Sequence, residues 1–184
     1  MGEMKERMLR GELYIADDPD LAEDFQRTQE LLAEYNQTPH AMGVRRDALL
    51  RRILGSVGEG VEVRSPFLCE YGTRVSIGAR TFINFDCVML DVVAITIGAD
   101  CQVATRVQLL TASHPVEPQP RRERWEYGAT IAVGDNVWLG SGAIVCPGVT
   151  IGDDTVVGAG AVVTRDLPSG VVAAGVPARV VREL

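Results

Sequence analysis

Aromatic side chains are scarce in this chain of 184 residues: 4 Phe, 4 Tyr and 2 Trp. A core for a domain of this length must therefore be filled by aliphatic side chains. Histidine is scarcer still, at 2, too few for a metal held by three imidazoles. The four cysteines, Cys69, Cys87, Cys101 and Cys146, show neither CxxC nor metal-knuckle spacing. That excludes a disulfide scaffold and points to free thiols in a reducing cytoplasm. Basic residues are in deficit, 18 against 25 acidic for a net charge of −7, which argues against a nucleic-acid partner. No apolar run approaches the ~18 residues of a membrane span. The first twenty positions mix charges with single apolar residues instead of carrying the apolar stretch of a secretory leader. The expectation is a single cytoplasmic domain without nucleic-acid or membrane partners.

What the chain does contain falls into two halves with different periods. Residues 1–57 read as a helical cap. Asp18-Pro19 is a helix start, an acidic N-cap followed by proline at the first helical position. Leu21, Phe25, Thr28, Leu32 and Tyr35 then form one amphipathic stripe, closed by Pro39. A second helix spans about Val44–Leu54 with Leu49, Leu50, Ile53 and Leu54 inward. Its Arg45, Arg46, Arg51 and Arg52 read as a solvated face.

Beyond the cap, over 58–184, the period becomes six. Ile77, Ile83 and Met89 are followed by Ile97, Val103 and Leu109, then by Val133, Leu139, Val145, Ile151, Val157 and Val163. All twelve are aliphatic, and six of them precede glycine. The fifth position of each hexad stays small or medium, Cys87 and Cys101 among them, so these thiols read as packing residues. Such a period fits a solenoid of short strands and corners, three hexads to a coil. Gly134-Asp135-Asn136 and Gly152-Asp153-Asp154 are expected to supply left-handed corner angles. The coils run 77–94, 97–114, 133–150 and 151–168, with an imperfect one at about 61–76 and a C-terminal extension. Two interruptions stand out: the pair Ile95-Thr96, and a polar excursion over about 115–130 with Pro115, Pro118, Pro120 and Trp125. Loops of that length are often functional.

The excursion leaves directly after His114. A lone histidine at a loop edge is ordinarily a surface residue. His40, near Pro39 in a linker, keeps that reading. Asn84 stands where other hexads carry glycine, as a corner residue or a site amide. Counted along the coil, Asn84 and His114 lie at different edges of the triangle. Five extended residues already span about 16 Å, so one chain does not bring them together.

Five strings make the chain resemble the hexapeptide-repeat O-acetyltransferases of the maltose, galactoside and nodulation type. They are Gly11-Glu12-Leu13-Tyr14, Asn84 to Asp91, Thr111-Ala112-Ser113-His114-Pro115, Gly134 to Trp138, and Val172 to Arg179. The resemblance implies a left-handed parallel β-helix with an N-terminal α-helical cap, a homotrimer, and acetyl-CoA as cosubstrate with no catalytic metal. It implies direct attack by an acceptor hydroxyl, with His114 as general base and Asn84 in the catalytic site. Ser141, Ala159, Thr164, Arg165, Arg179 and Arg182 match positions that contact coenzyme A; Arg165 replaces the usual lysine, and small residues suit corners at Ser141 and Ala159 in any case. Asp17, Glu70, Tyr71 and Asn84 match the acceptor region. Asp17 aligns only with a one-residue shift, and Glu70 stands where relatives have Asp or Ser. Trp138 fits a subunit seam, a ligand contact or core-edge packing. The expected activity is acetyl transfer to a sugar or similar small hydroxyl compound. The alternatives are an antibiotic (xenobiotic) or amino-sugar acetyltransferase on the same fold, or a solenoid scaffold without activity. A zinc enzyme on this solenoid needs three histidines, and the chain has two, one outside the repeats.

Overall fold

A computed structural model describes residues 2–184; Met1, the first residue of the expected cap, lies outside it. Three helices come first: α1 (Glu3–Leu9), α2 (Pro19–Gln37) and α3 (Gly43–Ile53). Asp18 caps α2 as expected, its Oδ1 accepting from the Asp20 N–H at 2.9 Å while Oδ2 accepts from the Lys5 N–H at 3.1 Å. Leu21, Thr28, Leu31, Leu32 and Tyr35 are buried, but Phe25 is 46% exposed. The expected stripe therefore breaks at Phe25, which lines an open groove with Leu68 and Val88 instead of the core.

The arginine face of α3 needs a larger correction. Arg45 and Arg51 are exposed and pair with Glu34 at 2.8 Å and Asp47 at 2.9 Å, and Arg52 is exposed. Arg46 is buried. It donates to the carbonyls of Tyr35 (3.1 Å), Thr38 (2.7 Å) and Val63 (2.9 Å) and to Ser65 Oγ (3.0 Å), with its guanidinium 4.1 Å from the Tyr35 ring centre. The Tyr35 and Thr38 carbonyls close the C-terminal end of α2 and the Val63 carbonyl lies on the first coil, so the guanidinium ties helix end and coil together.

The same logic runs along α2. Thr28 Oγ1 donates to the Tyr71 carbonyl at 2.7 Å, Gln29 to Cys69 at 3.1 Å, and the Tyr35 hydroxyl to Val63 at 2.7 Å. Asn36 donates to the Phe67 carbonyl at 2.9 Å and accepts from its N–H at 3.0 Å. Helix side chains thus do for the first coil what a preceding coil does for every other one.

The rest is a triangular parallel β-solenoid. The first face stacks Ser56–Val57, Val75–Ile77, Ile95–Ile97, Ile131–Val133 and Thr150–Ile151. The second stacks Glu62–Val63, Phe82–Ile83, Gln102–Val103, Trp138–Leu139, Val156–Val157 and Val171–Ala174, and ends on an antiparallel strand, Arg179–Glu183. The third stacks Phe67–Cys69, Cys87–Leu90, Gln108–Leu110, Ile144–Val145 and Val162–Val163. All twelve hexad aliphatics are buried in one column. Cys87 and Cys101 are buried beside it, and their thiol pKa values are raised chiefly by burial, that of Cys87 to about 11. All four thiols are free.

The solenoid starts at Ser56, ahead of the expected 61. Ser56 pairs with Ser76 and Ser76 with Thr96, a turn of 20 residues, whereas Ala132 pairs with Thr150, a turn of 18. Ile95 and Thr96 are therefore ladder residues, not an insertion. The two extra residues widen the corner between the third and first faces, at Glu70–Arg74 and again at Asp91–Ala94. The corner glycines also act differently from expectation. The left-handed angles fall on Asn136 (φ 55°) and Asp154 (φ 57°), not on Gly134 or Gly152. A Cβ on either glycine would collide with the next coil, at Asp153 or Ser169.

Candidate active site

Two corner columns carry the residues singled out above. The corner between the second and third faces stacks Asn84-Phe85-Asp86, Ala104-Thr105-Arg106, Gly140-Ser141-Gly142 and Gly158-Ala159-Gly160. Backbone bonds lock the column: the Arg106 N–H donates to Phe85 at 2.9 Å, Gly142 to Thr105 at 2.8 Å and Gly160 to Ser141 at 2.9 Å. Asn84 Oδ1 accepts from the Phe85 N–H at 2.9 Å, and Thr105 Oγ1 donates to Ser141 Oγ at 3.2 Å. Phe85, Asp86, Thr105, Arg106, Ser141 and Gly142 line an open groove of about 470 Å³ along this edge. Trp138, beside it on the second face, points outward and is exposed.

The corner between the third and first faces holds Glu70, Tyr71, Asp91, His114, Thr164 and Arg165. Asn84 and His114 thus lie on different edges, as counted from the sequence. Asp17 is exposed before α2, and Arg179 and Arg182 are exposed on the final strand.

At this second corner the solenoid frame is broken and other contacts replace it. The excursion forms α4 (Pro118–Arg122) and returns through Tyr127–Gly128, which pairs antiparallel with Ala112–Ser113. His114 is exposed, with Nδ1 3.4 Å from the Trp125 carbonyl oxygen. A carbonyl only accepts, so this contact requires the proton on Nδ1 and leaves the Nε2 lone pair free. The Arg7 guanidinium lies 5.9 Å from the Trp125 ring centre, and Tyr14 and Glu126 exchange backbone bonds of 2.9 and 3.0 Å. The N-terminal segment thereby clamps the excursion.

Carboxylates crowd this corner. Burial, then Asp91 and Glu126, pushes the Glu70 carboxyl up to about 7, against the pull of Arg74. Asp91 is fully buried, and burial also raises it. Its Oδ1 accepts from the N–H groups of Glu70 (3.0 Å) and Tyr71 (2.9 Å), and Oδ2 from Arg74 (3.3 Å), which shapes the widened corner. Burial raises the Glu126 carboxyl, and the nearby His114 imidazole and Tyr14 hydroxyl oppose that rise. Glu126 and the structural role of Asp91 were absent from the sequence reading. Glu126 sits where the six-residue period is lost, so only three-dimensional pairing reveals it. Among the described residues, no three His, Cys, Asp or Glu side chains converge as a metal site. No helix among them is long and apolar enough to cross a membrane.

Residues 7–58 match the maltose acetyltransferase hexapeptide capping motif, and residues 130–165 match the six-repeat bacterial transferase hexapeptide. The chain is 48% identical over 176 residues to nodulation protein L of Rhizobium meliloti (strain 1021), covering 96% of each. A maltose O-acetyltransferase structure from Clostridium difficile 630 superposes with a TM-score of 0.97 at 41% identity, covering 98% of this chain and 97% of that one. A galactoside acetyltransferase in complex with coenzyme A gives 0.95 at 38% identity, covering 100% and 92%.

Proposed function

The chain belongs to the hexapeptide-repeat acetyltransferases of the maltose, galactoside and nodulation type, and on that premise we propose that it moves an acetyl group from acetyl-CoA to a sugar hydroxyl, with His114 as general base. The observation that carries this reading is His114 itself. One of only two histidines stands where the repeat is broken, its Nδ1 turned to a carbonyl and its Nε2 free. In this reading Nε2 takes the proton from the acceptor hydroxyl as its oxygen attacks the thioester carbon. The tetrahedral intermediate collapses, the carbon–sulfur bond breaks, and the imidazolium returns the proton to the departing thiolate. Such a base contributes ~10²–10⁴-fold.

The intact corner column suits the cosubstrate. Ser141 and Ala159 offer backbone N–H groups to the thioester carbonyl, and Asn84 a side-chain amide. Thr164, Arg165, Arg179 and Arg182 serve the phosphates of coenzyme A. Asp17, Glu70, Tyr71 and Asn84 serve the acceptor. Relatives bearing maltose and galactoside names support a sugar, and four free thiols suit a reducing cytoplasm.

Asn84 and His114 act together only if separate subunits supply them, which leads to a homotrimer. The faces differ in the way such packing requires. Outward positions of the third face are Leu68, Val88, Leu90, Leu110, Ile144 and Val162, with Gln108 the one polar side chain among them; those of the first are Ser56, Ser76, Thr96, Ala132 and Thr150. The third face is the one to bury.

The test is acetyl-CoA with a panel of glucosides, galactosides and amino sugars, reading thiol release and product mass. Co-refolded Asn84→Ala and His114→Ala subunits should then recover part of the lost activity. Hybrid trimers as inactive as their parents would show that each site belongs to one chain.

A further inference from the structure

We propose that Glu126, held in place by Tyr14, is a positioning residue for His114, orienting the imidazole and balancing the charge it gains on accepting a proton. This inference rests on the reading of His114 as the base. Its ground is a short three-stranded patch outside the repeat frame. Ala112 pairs with Gly128 and Ser113 with Tyr127, antiparallel, so the next rung sets His114 opposite Glu126. On its other side Glu126 is bridged to Tyr14, also antiparallel, through both backbone bonds. Directly opposed residues in such a patch point to the same side. His114, Glu126 and Tyr14 therefore form one cross-strand row.

The far end of the row is anchored. Tyr14 is buried among Met8, Leu21, Tyr71 and Val92, and its hydroxyl acts on the Glu126 carboxyl, opposing the rise that burial gives it. The groups facing Glu126 are His114 from the end of the coil and Tyr14 from the N-terminal segment. Glu70 and Tyr71 lie across the widened corner, backed by Asp91 and Arg74. When Nε2 accepts the hydroxyl proton, Nδ1–H stays on the Trp125 carbonyl and the new positive charge faces the Glu126 carboxylate. The charge disappears when the proton leaves with the thiol.

Glu126→Gln keeps size and backbone bridge while removing the charge. The expected result is a ~10- to 100-fold fall in kcat with KM for acetyl-CoA unchanged, less than the ~10⁴-fold cost of losing a buried triad carboxylate. Glu126→Asp should regain part of the loss, and Tyr14→Phe should show a smaller fall of the same kind. In a His114→Ala background, Glu126→Gln should cost nothing more, because it acts through that ring. Thermal melts of each variant separate folding from chemistry. Wild-type kcat in Glu126→Gln beside a dead His114→Ala overturns this inference and leaves the base intact. Wild-type kcat in His114→Ala overturns both.

Discussion

The two corner columns of the solenoid are built by opposite means. Between the second and third faces, the same three-residue step recurs coil after coil, and successive steps meet chiefly through backbone bonds, with the Thr105–Ser141 hydroxyl contact beside them. Between the third and first faces, the frame is widened by two residues, then broken, and the geometry is restored by contacts from α1, Tyr14 and the buried carboxylate of Asp91. Repetition supplies a uniform rail suited to a long, extended cosubstrate. Interruption places individual side chains, and His114, the proposed base, stands there.

The sharpest way to test that contrast is to damage one corner at a time. His114→Ala should lower kcat by ~10²–10⁴-fold and leave acetyl-CoA binding by calorimetry near wild type. Ala159→Glu, on the rail, should do the reverse, raising KM for acetyl-CoA while kcat holds. Equal loss of both parameters in both variants would erase the distinction.

Within the rail, two glycines should separate close packing from backbone angle. A Cβ on Gly140 would lie 2.6 Å from the Ala159 nitrogen, whereas Gly142, at φ +70°, has nothing within 4 Å. Gly140→Ala should cost ~3 kcal/mol through overpacking, and Gly142→Ala ~1 kcal/mol through its left-handed angle. Urea unfolding at fixed protomer concentration reads both.

At the broken corner, a smaller effect depends on pH. The Glu70 carboxyl is raised to about 7, so the fold binds its proton more tightly than the unfolded chain does. That contribution is fully present below the unfolded pKa of ~4.5 and is lost as pH rises through about 7. Glu70→Gln should therefore gain in melting temperature over wild type between pH 5 and pH 8. A gap that is flat or reversed would mean that the ionised carboxylate is favoured there. The smallest effects belong to the column interior. Cys87→Ala and Cys101→Ala, and treatment with a chelator, should leave turnover within about twofold, since both thiols are buried and raised in pKa.

The column was legible in the sequence because each inward aliphatic recurs at a fixed step, and the same step places Asn84 and His114 on separate edges. Three features were hidden for physical reasons. The first coil begins at Ser56, and its inward Val57, Val63 and Cys69 keep the step, but Ile77, the first of the twelve hexad aliphatics, comes eight positions after Cys69 and puts this coil out of frame with the rest. Arg46 looks like its neighbours in sequence; only the end of α2 and the first coil, brought together around its guanidinium, explain its burial. Glu126 reaches His114 through antiparallel pairing across a loop, which carries no period.

The helical cap has a consequence for assembly in bulk solution. A stack of parallel coils presents at each end a row of backbone groups that a second copy could extend, coil upon coil, without limit. At one end Thr28, Gln29, Tyr35, Asn36 and Arg46 occupy those groups with side chains, and a helix offers the next chain no ladder to continue. At the other, Arg179–Glu183 reverses direction and closes the parallel register. The helices thus act as a stopper against fibre growth, and a chain beginning at Ser56 would be expected to polymerise end to end.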